Sequence, residues 1–480
     1  VLNGSIMRPN LRTETIGVLG GPNAVVDQGY FLSPVDNKPV FLIGYSQMAA
    51  APKNDSSAAL DMNLALNTVF FMPNQVLGEG LNASVDARKV AHIATSVQDM
   101  LAAGQNVDMF LGNGAPGKKG SPVQLALPQW AEILYPGINT DYGEGHFFSY
   151  DIDNPGAKVL WDRVLAAVVP TVANQSATLS WELANEPGFW SANSTYTLKN
   201  FRNHLVNLYG GNATALAIDW KLDEASPPLT SFNDSRIMSA MSNRQAYSDT
   251  QQLTWAAFNK ARTTAWFTWL CTRIEHYYGL AGVDESKVRC HVKASNAGPP
   301  FGSIDDGLDR VQLARSLRIA ACDTRATYLN HGTLNRETEP ITSHMPFTQF
   351  DPSSNIIIDW WSIGASYDFM RTVSQGVNNS VALGVVWDTE WHTFSTVRWR
   401  DGQLPHHYAV ACAWLSALHG LSGQIVWFWN REGWMKRRGD AYAAITSQPL
   451  IMNAYSRTKI QLNAMAVEIA SMVRQPAQIA

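Results

Sequence analysis

Short apolar runs alternate with amphipathic segments along most of the chain, from about residue 30 to about residue 470. The apolar runs have the length and the β-branched and aromatic content of buried strands. The amphipathic segments carry apolar residues at helical spacing, as at Ile93, Val97 and Met100, where Gly104 follows as a C-cap. Predicted strands cover residues 40–45, 67–72, 107–111, 177–181, 288–293, 318–322, 381–387 and 424–429. Predicted helices cover residues 86–103, 155–172, 249–278, 309–317, 356–374, 406–419 and 449–472.

Eight strands that alternate with helices are typical of an α/β protein with a (β/α)8 TIM barrel, which is the fold class that we predict. We assign residues 30–475 to this barrel and expect residues 1–29 to form an irregular leader or a short hairpin. Long polar stretches follow the third, fourth and sixth strands, and we expect residues 189–245 to be such a loop. Long loops at the carboxyl face of a barrel commonly form the walls of a binding site.

Charge and short motifs exclude several classes of partner. Only 16% of the residues are charged, the net charge is −4, and no basic block suggests binding to nucleic acid or to an anionic membrane. The apolar runs are too short to span a bilayer. Since no His-x-His follows the first strand and no Gly-rich phosphate loop is present, we predict no metal and no cofactor.

The cysteines and the Asn-x-Ser/Thr sites bear on the cellular compartment in which the protein is found. The four cysteines are widely spaced in apolar contexts, which favours small core residues and leaves one disulfide open. Residues 1–20 lack the pattern of a signal peptide, and the first residue is Val, so we expect any signal to have been removed. We therefore predict a secreted or periplasmic protein and leave the oligomeric state open. The cysteines are Cys271, Cys290, Cys322 and Cys412, and the eight sites are at Asn3, Asn54, Asn82, Asn174, Asn193, Asn212, Asn233 and Asn378.

The stretch Trp181–Trp190 carries the first chemical signal. Pro187 cannot donate a ladder hydrogen bond and Gly188 permits a sharp turn, so the fourth strand must end there. Asn185 and Glu186 therefore lie at the carboxyl end of a strand, where parallel α/β proteins bind ligands.

A second carboxylate, Glu390, ends the seventh predicted strand. In a barrel, Glu186 and Glu390 then point into the same mouth. Two carboxylates facing each other across a cleft are the minimum equipment for glycoside cleavage, with one protonated and the other ionised. The seventeen tryptophans fit a sugar ligand, because flat aromatic faces stack against sugar rings.

These motifs resemble those of the retaining glycoside hydrolases of clan A. The run Trp181–Pro187 is similar to the motif of β-mannanases and cellulase-like enzymes. Residues 386–392 and the aromatic strand 426–429 are more similar to β-galactosidases and agarases. The resemblance implies an enzyme that cleaves β-glycosidic bonds of oligo- or polysaccharides by double displacement, with Glu186 as acid/base and Glu390 as nucleophile.

The resemblance also implies residues that bind the substrate or support the nucleophile. Asn185 would bind the sugar 2-hydroxyl, Trp427 or Trp429 would be the sugar platform, and Trp391 would also contact the substrate. A Tyr or His after the sixth strand usually hydrogen-bonds the nucleophile in this clan. Three residues compete for that role, namely Tyr328, His331 and His344.

Other polar residues have more ordinary interpretations. We expect Glu182 to be a buried structural residue and His291 a satisfied core histidine. Asp388 either tunes Glu390 or binds a hydroxyl. Asp151 and Asp153 are predicted to be helix N-terminal charges. Two alternatives to a hydrolase remain, a non-catalytic carbohydrate-binding barrel and a transglycosylase that uses the same pair; in each the partner is a carbohydrate.

Overall fold

The computed structural model describes residues 17–46, 65–81, 84–114, 125–139, 145–146, 148–189, 194–222, 229, 231–234, 237, 249–295, 307–323, 329–330, 348–351, 356–375, 384–392, 406–427 and 449–474. Eight strands within these ranges form a closed barrel, and every neighbouring pair is parallel, as predicted. They are β1 Leu42–Tyr45, β2 Leu66–Phe71, β3 Asn106–Leu111, β4 Thr178–Asn185, β5 Cys290–Ser295, β6 Ile319–Asp323, β7 Val385–His392 and β8 Gly423–Trp427.

The strands follow one another around the barrel in chain order, and β8 pairs with β1 to close the ring. Their carboxyl ends therefore meet at one face, which we call the mouth. Their amino ends meet at the opposite face, which we call the floor. This arrangement brings Glu186, which directly follows β4, to the same face of the barrel as the carboxyl end of β7.

Helices surround the barrel, and several begin where the sequence places a capping residue. The side chains of Asp86, Asn154 and Asp309 each accept a hydrogen bond from a backbone N–H of the following helix. The helices are α1 Pro73–Val76, α2 Ala87–Ala102, α3 Ala131–Leu134, α4 Pro155–Val172, α5 Thr195–Leu208, α6 Ala213–Asp219, α7 Asp249–Leu280, α8 Arg310–Leu317, α9 Trp360–Gln375, α10 His406–Leu418, α11 Pro449–Ala464 and α12 Ala466–Arg474, with 3-10 turns at Gly21–Asn23 and Glu285–Lys287.

The expectation that residues 189–245 form a loop is wrong. This stretch contains α5 and α6, each with an N-cap residue, Ser194 and Asn212. Their apolar residues, including Phe201 and Trp220, form a separate small core against α7. The low hydrophobicity of the stretch concealed two helices because each helix buries only one narrow face.

Two further boundaries differ from the prediction. Residues Ile356–Asp359 are a strand and not the first turn of α9, because three successive isoleucines favour a strand, and they pair antiparallel with Thr348–Asp351. A third short strand, Leu329–Asn330, joins this sheet. The closing helix is two helices, α11 and α12, separated at Met465. Gly145–His146 pairs with Gly188–Phe189 in a two-stranded sheet that directly follows Glu186 and Pro187.

The floor of the barrel is closed by apolar residues from the N-terminal segment. A three-stranded antiparallel sheet is formed by Val26–Asp27, Tyr30–Leu32 and Pro39–Val40, so this segment contains a hairpin. Residue 30, at which we expected the barrel to begin, lies within this sheet. The Phe31 ring lies 5.9 Å from the Trp387 ring, centroid to centroid. Gly423 leaves room for that indole, because a Cβ there would lie 2.8 Å from it. We call the following residues the floor cluster: Leu19, Ala24, Phe31, Val40, Leu42, Leu66, Leu179, Ile319, Val385, Trp387 and Ile425.

One pair of cysteines is joined. Cys271 of α7 and Cys290 at the start of β5 form a disulfide, with their Cα atoms 6.1 Å apart. The prediction that the cysteines are small core residues is therefore wrong for this pair. The spacing of the cysteines along the chain could not reveal the disulfide. The prediction is confirmed for Cys322 and Cys412, which are free and buried. Among the described helices, none is long and apolar enough to cross a bilayer.

Candidate active site

Glu186 lies directly after β4, at the mouth, and its backbone is strained. Its φ is +38°, in the left-handed region that a Cβ disfavours. Its N–H donates to the carbonyl oxygen of Lys293 on β5 at 2.8 Å, which holds this conformation in place. The side chain is 5% exposed. Strained non-glycine residues cluster at functional sites, because the surrounding structure must support them.

The end of β4 is fixed to β3 by one buried amide. The Nδ2 of Asn113 donates to the carbonyl oxygens of Leu111 at 3.1 Å and Leu183 at 2.9 Å. The hydroxyl of Tyr150 donates to the Oδ1 of Asn113 at 2.6 Å. Asn185, half-buried, is the register partner of Lys293 on the other side. The backbone that presents Asn185 and Glu186 is therefore anchored to both neighbouring strands.

A layer of charged side chains lies inside the barrel between the floor cluster and the mouth. We call Asp108, Glu182, His291 and Lys293 the charged layer; all four are buried. The Nε2 of His291 is 3.1 Å from both carboxylate oxygens of Asp108. Ser180 donates to the same carboxylate at 2.7 Å. The Nε2 of His291 is thus paired, as expected for a core histidine, whereas its Nδ1 has no hydrogen-bond partner within the described residues, so the expectation of a satisfied histidine holds for one ring nitrogen only.

Burial and neighbouring charges shift the protonation of this layer. Burial raises the pKa of Glu182 to about 7, against the lowering effect of Lys293 and His291, while Asp108 and Glu186 raise it further. Burial alone would lower the pKa of His291, but the charge and hydrogen bond of Asp108 raise it above its usual value. The layer therefore combines a carboxyl group whose pKa is raised to about 7 with a histidine whose pKa is raised by Asp108.

The same geometry bears on whether a metal could bind. One potential ligand atom each from Asp108, Glu182 and His291 lies within 4.8 Å of the others. His291 is already bound to Asp108, and the charge of Lys293 already acts on Glu182, so both carboxylates have partners from the chain itself. We assign no metal to it.

The seventh strand carries the other candidate carboxylate. Glu390 is in β7, which runs from Val385 to His392, and not at its end as predicted. The register of β7 against β8 shifts between Asp388 and Trp391. Irregularities of this kind re-aim side chains and are common beside active sites. For Glu390, Trp391 and Trp427 only the strand placement is described.

Asp388 is fully buried, and its contact lies on the helix side of the strand. The hydroxyl of Tyr367 in α9 donates to its Oδ2 at 2.6 Å. The neighbouring Thr389 donates from Oγ1 to the carbonyl oxygen of Cys322 at 3.1 Å. These contacts fix β7 to α9 and β6 immediately before Glu390. The remaining site candidates, Trp429, Tyr328, His331 and His344, lie outside the described residues.

Asp151 and Asp153 precede the first turn of α4, whose N-cap is Asn154. Asp153 forms a 2.6 Å ion pair with Arg262 of α7. Both aspartates accept hydrogen bonds from Thr197 of α5. The two carboxylates join α5 and α7 to the barrel and have a structural role.

Sequence reasoning missed two residues of the charged layer. Asp108 and Lys293 both lie in strands that were read only for their apolar content. Both residues could have been found as charged residues within otherwise apolar strands, because a buried charge needs a buried partner.

Comparisons with known proteins find likeness in structure only. No family model matches the sequence, and no curated protein matches it. An exo-carrageenase GH42 from Bacteroides ovatus is 23% identical with a TM-score of 0.68, covering 97% of this chain and 57% of that chain. A β-galactosidase from the psychrophilic Marinomonas ef1 is 12% identical with a TM-score of 0.61, covering 90% and 61%.

A β-galactosidase from the Antarctic haloarchaeon Halorubrum lacusprofundi is 14% identical with a TM-score of 0.61, covering 88% of this chain and 58% of that chain. The chain thus spans about three fifths of the length of these proteins. At such identities the likeness concerns the fold. The chain has a (β/α)8 barrel of the kind found in these carbohydrate-cleaving enzymes.

Proposed function

We propose that the protein is a retaining glycoside hydrolase in which Glu186 is the general acid/base and Glu390 the nucleophile. The observation that carries this proposal is the strained, buried Glu186 at the end of β4, in a barrel whose β7 carries Glu390. Three strand steps separate β4 from β7, so the two strands lie nearly opposite each other across the mouth.

The reaction has two steps. Glu390 attacks the anomeric carbon while Glu186 gives a proton to the leaving glycosidic oxygen. Glu186 then takes a proton from the water that hydrolyses the glycosyl-enzyme. The proposal requires the two carboxyl groups to lie about 5–5.5 Å apart.

The remaining candidates have supporting roles in this proposal. Asn185 binds the sugar 2-hydroxyl, and Trp427 or Trp429 forms the sugar platform, with Trp391 beside it. One of Tyr328, His331 and His344 hydrogen-bonds Glu390. Of the two roles open to Asp388, tuning Glu390 and binding a hydroxyl, the contact with Tyr367 supports the first, because it fixes β7 immediately before Glu390.

The names of the similar proteins guide the choice of substrate. Because the similar proteins are named an exo-carrageenase and two β-galactosidases, we put β-galactosides and galactose-based polysaccharides first among the candidate substrates, ahead of β-mannosides and β-glucosides. We also propose that the protein works in an oxidising compartment outside the cytosol, since disulfides such as Cys271–Cys290 persist there.

Hydrolysis of a panel of aryl β-glycosides and β-linked galactans tests the proposal. Replacing Glu186 by Ala should lower kcat/KM by about 10²–10⁴-fold, the usual contribution of acid–base catalysis. Replacing Glu390 by Ala should abolish the covalent step, and azide should rescue this variant to give a glycosyl azide of inverted configuration. Glu468→Ala, an exposed glutamate in α12, is the matched control and should retain activity.

Full activity in both Glu186→Ala and Glu390→Ala would overturn the assignment. A parent protein that binds these sugars without turning them over would support the non-catalytic carbohydrate-binding barrel instead.

A further inference from the structure

We propose that Phe70 is a substrate-binding residue, whose ring forms an apolar wall of the mouth and packs against the C–H face of a sugar ring. This inference rests on the proposed function, because it concerns the site that holds Glu186. It goes further by assigning sugar binding to β2, a strand in which the sequence analysis placed no site residue.

The alternation of side chains along β2 turns Phe70 into the barrel. Leu66 belongs to the floor cluster inside the barrel, whereas Val69 and Phe71 belong to the core between the barrel and its helices. Since successive side chains of a strand point to opposite faces, Phe70 points inward, as Leu66 does. At about 3.3 Å per residue, Phe70 lies about 13 Å nearer to the mouth than Leu66.

The ring of Phe70 is held in place by β3. Phe110 is its register partner on that strand, and the two rings meet edge to face with their centroids 5.0 Å apart. A Cβ on Gly112 would overlap the Phe70 ring, so only glycine lets the ring lie against the backbone that follows β3. A sugar would therefore meet a surface that is already formed, which lowers the entropy lost on binding.

Phe70 differs in exposure from the other aromatic residues inside the barrel. It is half-buried, whereas Phe31, Phe110 and Trp387 are at most 5% exposed. Thr68, which precedes it on the inward face of β2, is also buried. The exposed part of the ring is therefore left on the side of the mouth. Binding pockets for small molecules are lined mainly by such apolar and aromatic surfaces.

The chemistry of the ring selects the face of the ligand that it contacts. A phenyl ring has no hydrogen-bond donor or acceptor, so it packs against C–H groups and leaves the sugar hydroxyls to polar residues. Phe110 is also the register partner of Glu182 in β4, so the aromatic pair lies beside the strand that leads to Glu186. A charged substituent on the packed face of the sugar would lose its water without gaining a partner. We therefore expect the sugar beside Phe70 to present an uncharged face.

The first experiment separates KM from kcat on the aryl β-glycoside that the parent cleaves best. Phe70→Ala should raise KM by about tenfold and change kcat much less, because the ring binds the sugar and takes no part in bond breaking. Phe70→Tyr, which keeps the ring, should have nearly the KM of the parent. Phe369→Ala is the matched control, since Phe369 is also half-buried but lies in α9 outside the barrel. A folded Phe70→Ala variant with the KM of the parent overturns the inference.

The second experiment needs neither catalysis nor a folded Phe70→Ala variant. Fluorine NMR of the protein labelled with fluorophenylalanine detects Phe70 as the signal that is absent from Phe70→Tyr, and Phe369 as the one absent from Phe369→Tyr. The probes are phenyl 1-thio-β-galactoside and the corresponding glucoside and mannoside, whose sulfur linkage resists hydrolysis.

At least one probe should shift the Phe70 signal in a saturable manner and leave the Phe369 signal unchanged. In an active enzyme, a Phe70 signal that none of the probes shifts overturns the inference alone. A parent that hydrolyses no glycoside but shows the shift overturns the proposed function alone. A protein with neither activity nor a shift overturns both.

Discussion

The floor cluster and the charged layer are adjacent levels of one barrel, but the first buries apolar side chains and the second buries charged ones. The floor is filled by side chains such as Phe31, Leu42 and Ile425, which bury apolar area and need no partners. In the charged layer above it, Asp108 and His291 are bound to each other, and one oxygen of Glu182 has no donor among the described residues.

The difference indicates how burial at the floor of the barrel affects the protonation of the charged layer above it. A polar layer on an open floor would be screened by water and would keep its ordinary protonation. Above a sealed floor, burial raises the pKa of Glu182 to about 7. The floor therefore contributes to the site although it lies at the opposite end of the strands.

The largest effect is expected from opening the floor. Phe31→Ala should lower the free energy of unfolding by about 3–5 kcal/mol, because it removes a fully buried ring that packs on Trp387. Denaturant unfolding measures this change. Val35→Ala, in the same N-terminal segment but 87% exposed, should change stability by less than about 0.5 kcal/mol. Equal effects of the two substitutions would show that the N-terminal segment does not seal the barrel.

A smaller effect is expected from weakening the charged layer. Asp108→Asn keeps the shape but removes the charge that His291 binds, and should lower the free energy of unfolding by about 2–3 kcal/mol. Asp86→Asn, an N-cap exchange between two equally good capping residues, should leave stability almost unchanged. Thermal unfolding of both variants gives the comparison. If Asp108→Asn were more stable than the parent, the contact between Asp108 and His291 would make no net contribution to the free energy of unfolding.

The smallest effects, at most about 1.4 kcal/mol per pH unit for each group, are slopes of stability against pH. Burial raises the pKa of Glu182 from 4.5 to about 7, so the folded state binds more protons between these values and stability should fall as pH rises through them. Burial lowers the pKa of Lys459 in α11 from 10.5 to about 7, so the unfolded state binds more protons there and stability should rise between about pH 7 and pH 10.5. Glu182→Gln should remove the first slope and Lys459→Met the second, as denaturant midpoints at several pH values would show. Slopes that survive both exchanges belong to other groups.

Most of the barrel could be predicted from the sequence because its strands are continuous apolar runs. Asn106–Leu111 and Pro155–Val172 lie within a residue of their predicted bounds, since Gly104 and Gly112 flank the strand and Asn154 and Pro155 mark the start of the helix. Helices α5 and α6 were missed because their apolar faces are narrow and pack on α7, which is distant in sequence. The Cys271–Cys290 disulfide depends on the way α7 returns to the start of β5, which spacing alone does not encode.

The site was predictable to a lesser extent. Asn185 and Glu186 were placed by Pro187 and Gly188, which end the strand, and the structure puts Glu186 at the mouth. The strain at Glu186 and the layer below it could not be predicted, because both depend on contacts with β5. The helix-side contact of Asp388 likewise depends on Tyr367, which is on another element.

The sealed floor has a consequence for the order of synthesis. Phe31 is translated long before its partners Trp387 and Ile425, which lie in β7 and β8. Contacts so distant in sequence form late and slow folding. We therefore expect the apolar face of the N-terminal sheet to stay uncovered until β7 and β8 have been made, which would expose it to chaperones during synthesis.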